Sequence, residues 1–281
     1  MTRPALKRML DRLYKTYPFA ERVTHDPIRF PHRYTDPRDK EAVAFISASL
    51  AYGRVELFGA VLEKLFAAMG AHPHEFISSF SPRRDIRKLG GAKYRFQSAP
   101  DIAALIYVTG RMLRRHGSLE AAFTRHMQPG DTDTGGMIAG FVDEALGIDT
   151  SAVYGAEERP WGLGLRQLFP SPATGGASKR TCLFLRWMVR RADIDMGIWR
   201  SISPSMLVIP LDTHIGRIGR CLGLTARASN GWRTALEITR ALAAFDPADP
   251  LKYDFALCHL GVSGECSAAR CQGCTLTKAR E

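Results

Sequence analysis

Hydrophobic positions recur along this chain with a helical period, and strand-like alternation is absent. "DKEAVAFISASLAYG" reads as a helix with Asp39 near its start and Gly53 at its end. "VELFGAVLEKLFAAMG" is a second, closed by Gly70. "APDIAALIYVTGRMLRRHG" is a third, with Pro100 and Asp101 as start signals and Gly117 as the stop. "SKRTCLFLRWMVRRA", "THIGRIGRCLG" and "GWRTALEITRALAAF" continue the pattern, while "MLVIP" is too short to count as a strand. The pattern predicts an all-α fold without internal repeats. A Gly- and Pro-rich stretch at about residues 155–176 marks a candidate domain junction, and it is long enough to carry function.

No apolar run approaches the roughly 20 residues of a membrane helix. The amphipathic start, "MTRPALKRMLDRLYKTYPFAERV", carries acids and does not read as a secretion signal. These features predict a cytoplasmic protein with no membrane partner. A length of 281 residues allows one large domain or two small ones. Charge changes the picture more. The formal net charge is +11, despite 28 acidic residues. Such a surplus attracts polyanions, with nucleic acid first, although a generally basic proteome would also produce it. Six cysteines are present. Cys182 and Cys221 fall in apolar helical patterns and read as core. Cys258, Cys266, Cys271 and Cys274 cluster near the end, which in a cytosolic chain suggests a metal more than disulfides.

Two local patterns carry candidate chemistry. In "SPATGGASKRTCLFLRWMVRRADID" a Gly-rich turn enters a helix for which Ser178 is the expected cap. Lys179, Arg186 and Arg190 fall within about 40° of one another around the helix axis. Phe184, Leu185, Met188 and Ala192 lie broadly opposite, so one face should pack and the other be basic. Lys179 in the first turn opposes the helix dipole. It is either an exposed lysine that grips phosphate or a nucleophilic amine whose pKa is lowered by the dipole and the nearby arginines. In "VIPLDTHIGRIGRCLGL", Asp212 occupies an N-cap position. Ile215, Ile218 and Leu222 share one face there, with Arg217 and Arg220 on the other. Capping explains the aspartate, but a carboxylate held by backbone N–H groups also stays ionised and can face an amine.

"PLDTHIGRIGRCLGL", preceded by a Gly-rich turn with a lysine, resembles the helix-hairpin-helix DNA glycosylase superfamily, the endonuclease III and 8-oxoguanine glycosylase group. Lys179 and Asp212 then match its catalytic lysine and aspartate. Their separation of 33 residues is more similar to the archaeal 8-oxoguanine glycosylase branch. The whole chain also resembles an uncharacterised bacterial family with "YRF", "LFLRWMVR", "PLDTH" and "YDFAL" motifs. The hairpin departs from the superfamily: in "TGGASK", Gly175 can stand for the first glycine, but Ala177 replaces the second. "SLAYGRVE" stands where many relatives carry a glutamine.

The resemblance implies two helical subdomains with a cleft between them, in one glycosylase-like domain over residues 1–281. It implies a monomer that acts on double-stranded DNA containing a damaged base. The reaction would be that of a bifunctional DNA glycosylase/AP lyase removing an oxidised purine, with 8-oxoguanine the leading candidate. Gly175, Gly176, Arg186, Arg190 and Arg217 would contact DNA. Tyr52, Arg54, Arg95, Phe96, Trp187 and His214 are candidates for the base pocket. Several relatives carry a [4Fe–4S] loop at the cysteine-rich end, residues 258–281 here, with different spacing. Cys258, Cys266, Cys271 and Cys274 could hold that cluster or zinc, or the segment could be metal-free. A stapled loop would present Lys278 and Arg280 to phosphate. Two other readings stay open: a non-catalytic helix-hairpin-helix DNA-binding protein, and RNA or nucleotide-pool work on the same scaffold.

Overall fold

The computed structural model describes residues 2–155 and 163–266. The fold is all-α. Its helices of nine residues or more, among the described residues, are α1 (Arg3–Thr16), α2 (Pro37–Leu50), α3 (Val55–Met69), α4 (Ala99–His116), α5 (Gly135–Leu146), α6 (Lys179–Val189), α7 (Thr213–Cys221), α8 (Trp232–Ala243) and α9 (Asp254–Val262). Among the described residues there is no strand, only the isolated bridges Tyr94–Gln97 and Gly176–Gly231. None of the described helices is long and apolar enough to cross a membrane.

The local signals act where the sequence places them. Ser98 and Asp101 form a reciprocal capping box at the start of α4, and Gly117 closes it in the left-handed conformation. Asp36, rather than Asp39, caps α2. Asp39 lies inside the first turn, where its carboxylate accepts from the His74 backbone N–H at 2.8 Å. The 155–176 stretch is not simply a loop: Leu163–Leu168 is helical and Pro172–Thr174 forms a 3-10 turn.

At the centre, α2 and α6 pack together with almost all of their side chains buried. Phe45 and Trp199 each meet Phe184 edge-on, at centroid distances of 5.2 Å, and Phe123 stacks on Phe141 at 3.8 Å. Such edge and offset contacts add to the area that these rings bury. Arg180 ties α6 to its neighbours by donating to the Ser49 carbonyl, in the last turn of α2, and to the Gln167 carbonyl. A cation suits these helix C-terminal ends.

Two of the three cations expected on the basic face of α6 are buried. Arg186 and Arg190 are each 2% exposed. Arg186 donates to Asp195 at 3.2 Å and to Asp254 at 2.6 Å. Arg190 donates twice to Asp249, at 2.8 Å each, and also to Asp195 and Asp193. A buried guanidinium is tolerated only with such paired and hydrogen-bonded company. Helical spacing places Arg186 on this face, whereas Arg190 follows the end of α6 in an extended conformation (ψ 140°), and the carboxylates that cover both come from elsewhere in the chain. Ser178 does not cap as expected: it adopts a left-handed conformation (φ 48°), and its hydroxyl donates to the Pro170 carbonyl.

Arg190→Met leaves Asp195 buried with one guanidinium fewer. It is expected to lower the unfolding free energy by about 3–5 kcal/mol, read as a lower urea midpoint at unchanged slope. A loss below about 1 kcal/mol would show that α6 is held by its apolar contacts instead.

Candidate active site

Lys179 and Asp212 meet, with Nζ 3.2 Å from Oδ2. The hairpin Ser171–Ser178 delivers Lys179 to the first position of α6. Its 3-10 turn is capped by the Ser171 hydroxyl, and Gly175 takes the left-handed conformation (φ 82°) that ends it. Asp212 stands at the N-cap of α7, after the extended segment Leu207–Leu211. Its two oxygens divide the work: Oδ1 accepts from the Ile215 backbone N–H at 2.9 Å, and Oδ2 faces the lysine.

Charge at this pair follows from the geometry. Burial disfavours the Asp212 carboxylate, but the Lys179 ammonium and the Ile215 N–H outweigh it and hold the carboxyl below its ordinary range. Burial also opposes the lysine's charge, yet the facing Asp212 carboxylate raises its pKa above the ordinary value. The expected lowered amine is therefore corrected. Arg186 and Arg190, invoked to depress it, spend their charge on aspartates, and the nearest ionised group to Lys179 is an anion.

The pair lies in a cleft of about 810 Å³. Of the six candidate base-pocket residues, Tyr52, Arg54 and His214 line it. The sequence reading did not single out His25, Asp26, Asp254, Phe255 or His259 as site residues, and they line it too. Asp254 and Cys258 are four residues apart on α9 and so share a helix face, a spacing visible in "YDFALCH". The His259 ring stacks on Phe255 at 4.1 Å, and its Nε2 lies 3.4 Å from Asp26 Oδ2. Gly261 permits close packing of α9 on α7: a Cβ there would sit 2.6 Å from the His214 Cβ.

The remaining expected site residues divide. Gly175 and Gly176 are exposed. Arg186 and Arg190 are engaged in the buried network and cannot reach DNA, which corrects that expectation. Arg217 donates to the Cys266 carbonyl and is partly buried, so it too is committed to the fold. Trp187 is fully buried, and a core ring cannot stack on a base. Arg95 and Phe96 lie outside the cleft lining, on a turn next to Tyr52.

Of the four clustered cysteines, Cys258 lines the cleft. Its thiol sits 3.8 Å from Asp212 Oδ2. Burial, with the Asp212 and Asp254 carboxylates, pushes its pKa well above the ordinary value. Cys258 thus lines the cleft next to Asp212. Cys266 is buried after α9. Cys271, Cys274, Lys278 and Arg280 lie outside the described residues. Among the described residues, no group of three or more His, Cys, Asp or Glu side chains is arranged to hold a metal ion.

Asp212→Asn keeps the helix cap and removes the charge that faces Lys179. With the strongest group opposing burial removed, the lysine pKa falls. Reductive methylation of Lys179, followed by mass spectrometry across pH 7–10, is expected to begin at lower pH in this variant. Equal profiles would show that Asp212 does not set the charge of the amine.

Residues 26–263 match a family described as "Protein of unknown function (DUF2400)". No curated protein and no solved structure matches the chain. The match extends from Asp26, on one wall of the cleft, through Lys179 and Asp212 to the end of α9. The chain therefore belongs to the DUF2400 family.

Proposed function

We propose that this protein is a DNA base-excision repair enzyme, a bifunctional DNA glycosylase and AP lyase acting on an oxidised purine in duplex DNA. The observation that carries the reading is the Lys179–Asp212 pair, 3.2 Å apart in a cleft of about 810 Å³. That volume lies within the range of sites for small organic ligands. A base inside a duplex is out of reach, so the nucleotide must turn out of the stack into the cleft. The helix-hairpin-helix likeness, the two-subdomain arrangement and the choice of 8-oxoguanine belong to this proposal, as do a monomeric state and a cytoplasmic location.

The residues divide the chemistry. The Lys179 ammonium gives up a proton through Asp212, and its amine attacks the sugar C1′. The C1′–N bond breaks, and the departing base takes the proton. The covalent sugar adduct opens to a Schiff base, and loss of a C2′ proton expels the 3′ phosphate and nicks the strand. While ionised, Asp212 also faces the positive charge that develops on the sugar. The resting ammonium favours a second reading, a non-catalytic DNA-binding protein in which Lys179 grips phosphate and Asp212 only caps.

Borohydride trapping on duplexes that carry 8-oxoguanine, uracil or an abasic site separates the two readings. A covalent adduct on the 8-oxoguanine duplex is expected, absent in Lys179→Gln. Asp212→Asn is expected to lose about 10²–10³ in base release while keeping duplex affinity, because phosphate contacts set the affinity. No adduct on any duplex, with binding intact, would overturn the enzymatic reading in favour of the binding protein.

A further inference from the structure

The arginines expected to meet DNA are buried, so a basic surface must be sought elsewhere. It lies beside the cleft. Between residues 83 and 95 the chain exposes Arg83, Arg84, Arg87, Lys88, Lys93 and Arg95. The sole acid of this stretch, Asp85, is buried and held by Arg84 at 2.8 Å and Lys88 at 2.9 Å. Among the described residues, Arg83, Arg87, Lys93 and Arg95 have no carboxylate within ion-pair distance.

The same stretch ends in an unusual apolar group. Phe96 is 69% exposed, the highest value among the large hydrophobic side chains described as exposed. It is not on a loose loop. Tyr94 and Gln97 exchange backbone hydrogen bonds at 3.0 and 2.8 Å. The Tyr52 hydroxyl donates to the Tyr94 carbonyl, the Tyr94 hydroxyl donates to the Tyr52 carbonyl, and the Gln97 amide reaches Gln167. Gly53, in a left-handed conformation (φ 80°), makes room for Arg95: a Cβ there would fall 2.6 Å from its guanidinium. Arg95 in turn lies near the rings of Tyr52 and Phe96, at 5.8 and 5.5 Å. The turn is thus fixed to Tyr52 and Gly53, which line the cleft.

We propose that residues 83–96 form the surface on which a DNA duplex rests its phosphate backbone, with Phe96 entering the base stack beside the nucleotide held in the cleft. The proposal rests on the DNA part of the reading above and not on its chemistry. Exposed cations such as Arg83, Arg87, Lys93 and Arg95, without carboxylate partners among the described residues, suit phosphates. An apolar ring held out rigidly among them suits the gap between two base steps, where such wedges offset the loss of stacking.

The test uses the full chain and a short duplex carrying a tetrahydrofuran abasic analogue, with 2-aminopurine beside it. Binding is followed by anisotropy over a salt series, and unstacking by 2-aminopurine fluorescence. Combined Arg83→Gln, Arg87→Gln and Lys93→Gln are expected to weaken binding at least ~10-fold and to lower the log–log salt slope by about 2–3. Phe96→Ala is expected to keep the slope and lose the fluorescence rise. All four side chains are exposed, and unchanged melting temperatures confirm folding. An unchanged slope in the triple variant, or an unchanged fluorescence rise in Phe96→Ala, overturns the proposal while the DNA reading stands. Wild-type protein that ignores the duplex, or prefers an RNA hairpin, overturns both. Duplex binding through this surface without any Lys179 adduct supports the proposal and removes only the glycosylase chemistry.

Discussion

The structure depends on two guanidiniums that have left water. Arg186 and Arg190 sit inside the protein against Asp193, Asp195, Asp249 and Asp254. Each charge is costly to bury alone, so the segments that supply the four carboxylates must all be in place together. The loop after α6, the loop before α9 and the first residue of α9 are fixed at one point. The network also reaches the first helix, because the Tyr14 hydroxyl of α1 donates to Asp193 at 2.7 Å. Apolar packing fills the rest of the core, but these ion pairs set how α6 and α9 face each other.

That placement produces the cleft. Asp254 belongs to both regions: one oxygen binds Arg186, while its side chain lines the cavity that holds Lys179. Burial lifts the Asp254 carboxyl above its ordinary range, and Arg186 opposes this. One turn further along α9, Cys258 and His259 carry the wall forward to Asp212 and Asp26. A rigid charged anchor at one end of α9 therefore holds a row of chemically active side chains in register along it.

Legibility in the sequence followed distance along the chain. The limits of α4 were readable because Ser98, Asp101 and Gly117 act on their own helix. Asp212 was readable as a cap because its donor is three residues away. Its meeting with Lys179 was not spelled out by spacing; only the family likeness suggested it. Arg186 and Arg190 were misread because a helical wheel shows which residues share a face, not what covers that face. Asp249 lies 59 residues from Arg190. Cys258 was grouped with the other cysteines by type, whereas its neighbour in space is a carboxylate. His259 and Asp26 lie 233 positions apart and gave no local signal.

The same network constrains the order of events during synthesis. Arg186 leaves the ribosome before its partner Asp254, which lies 68 residues further on. At ~5–20 residues per second, that interval is roughly 3–14 s. Throughout it Arg186 and Arg190 have only the nearby Asp193 and Asp195 to pair with, and Asp249 and Asp254 are still to come. Full pairing of the two guanidiniums therefore waits until synthesis has reached α9.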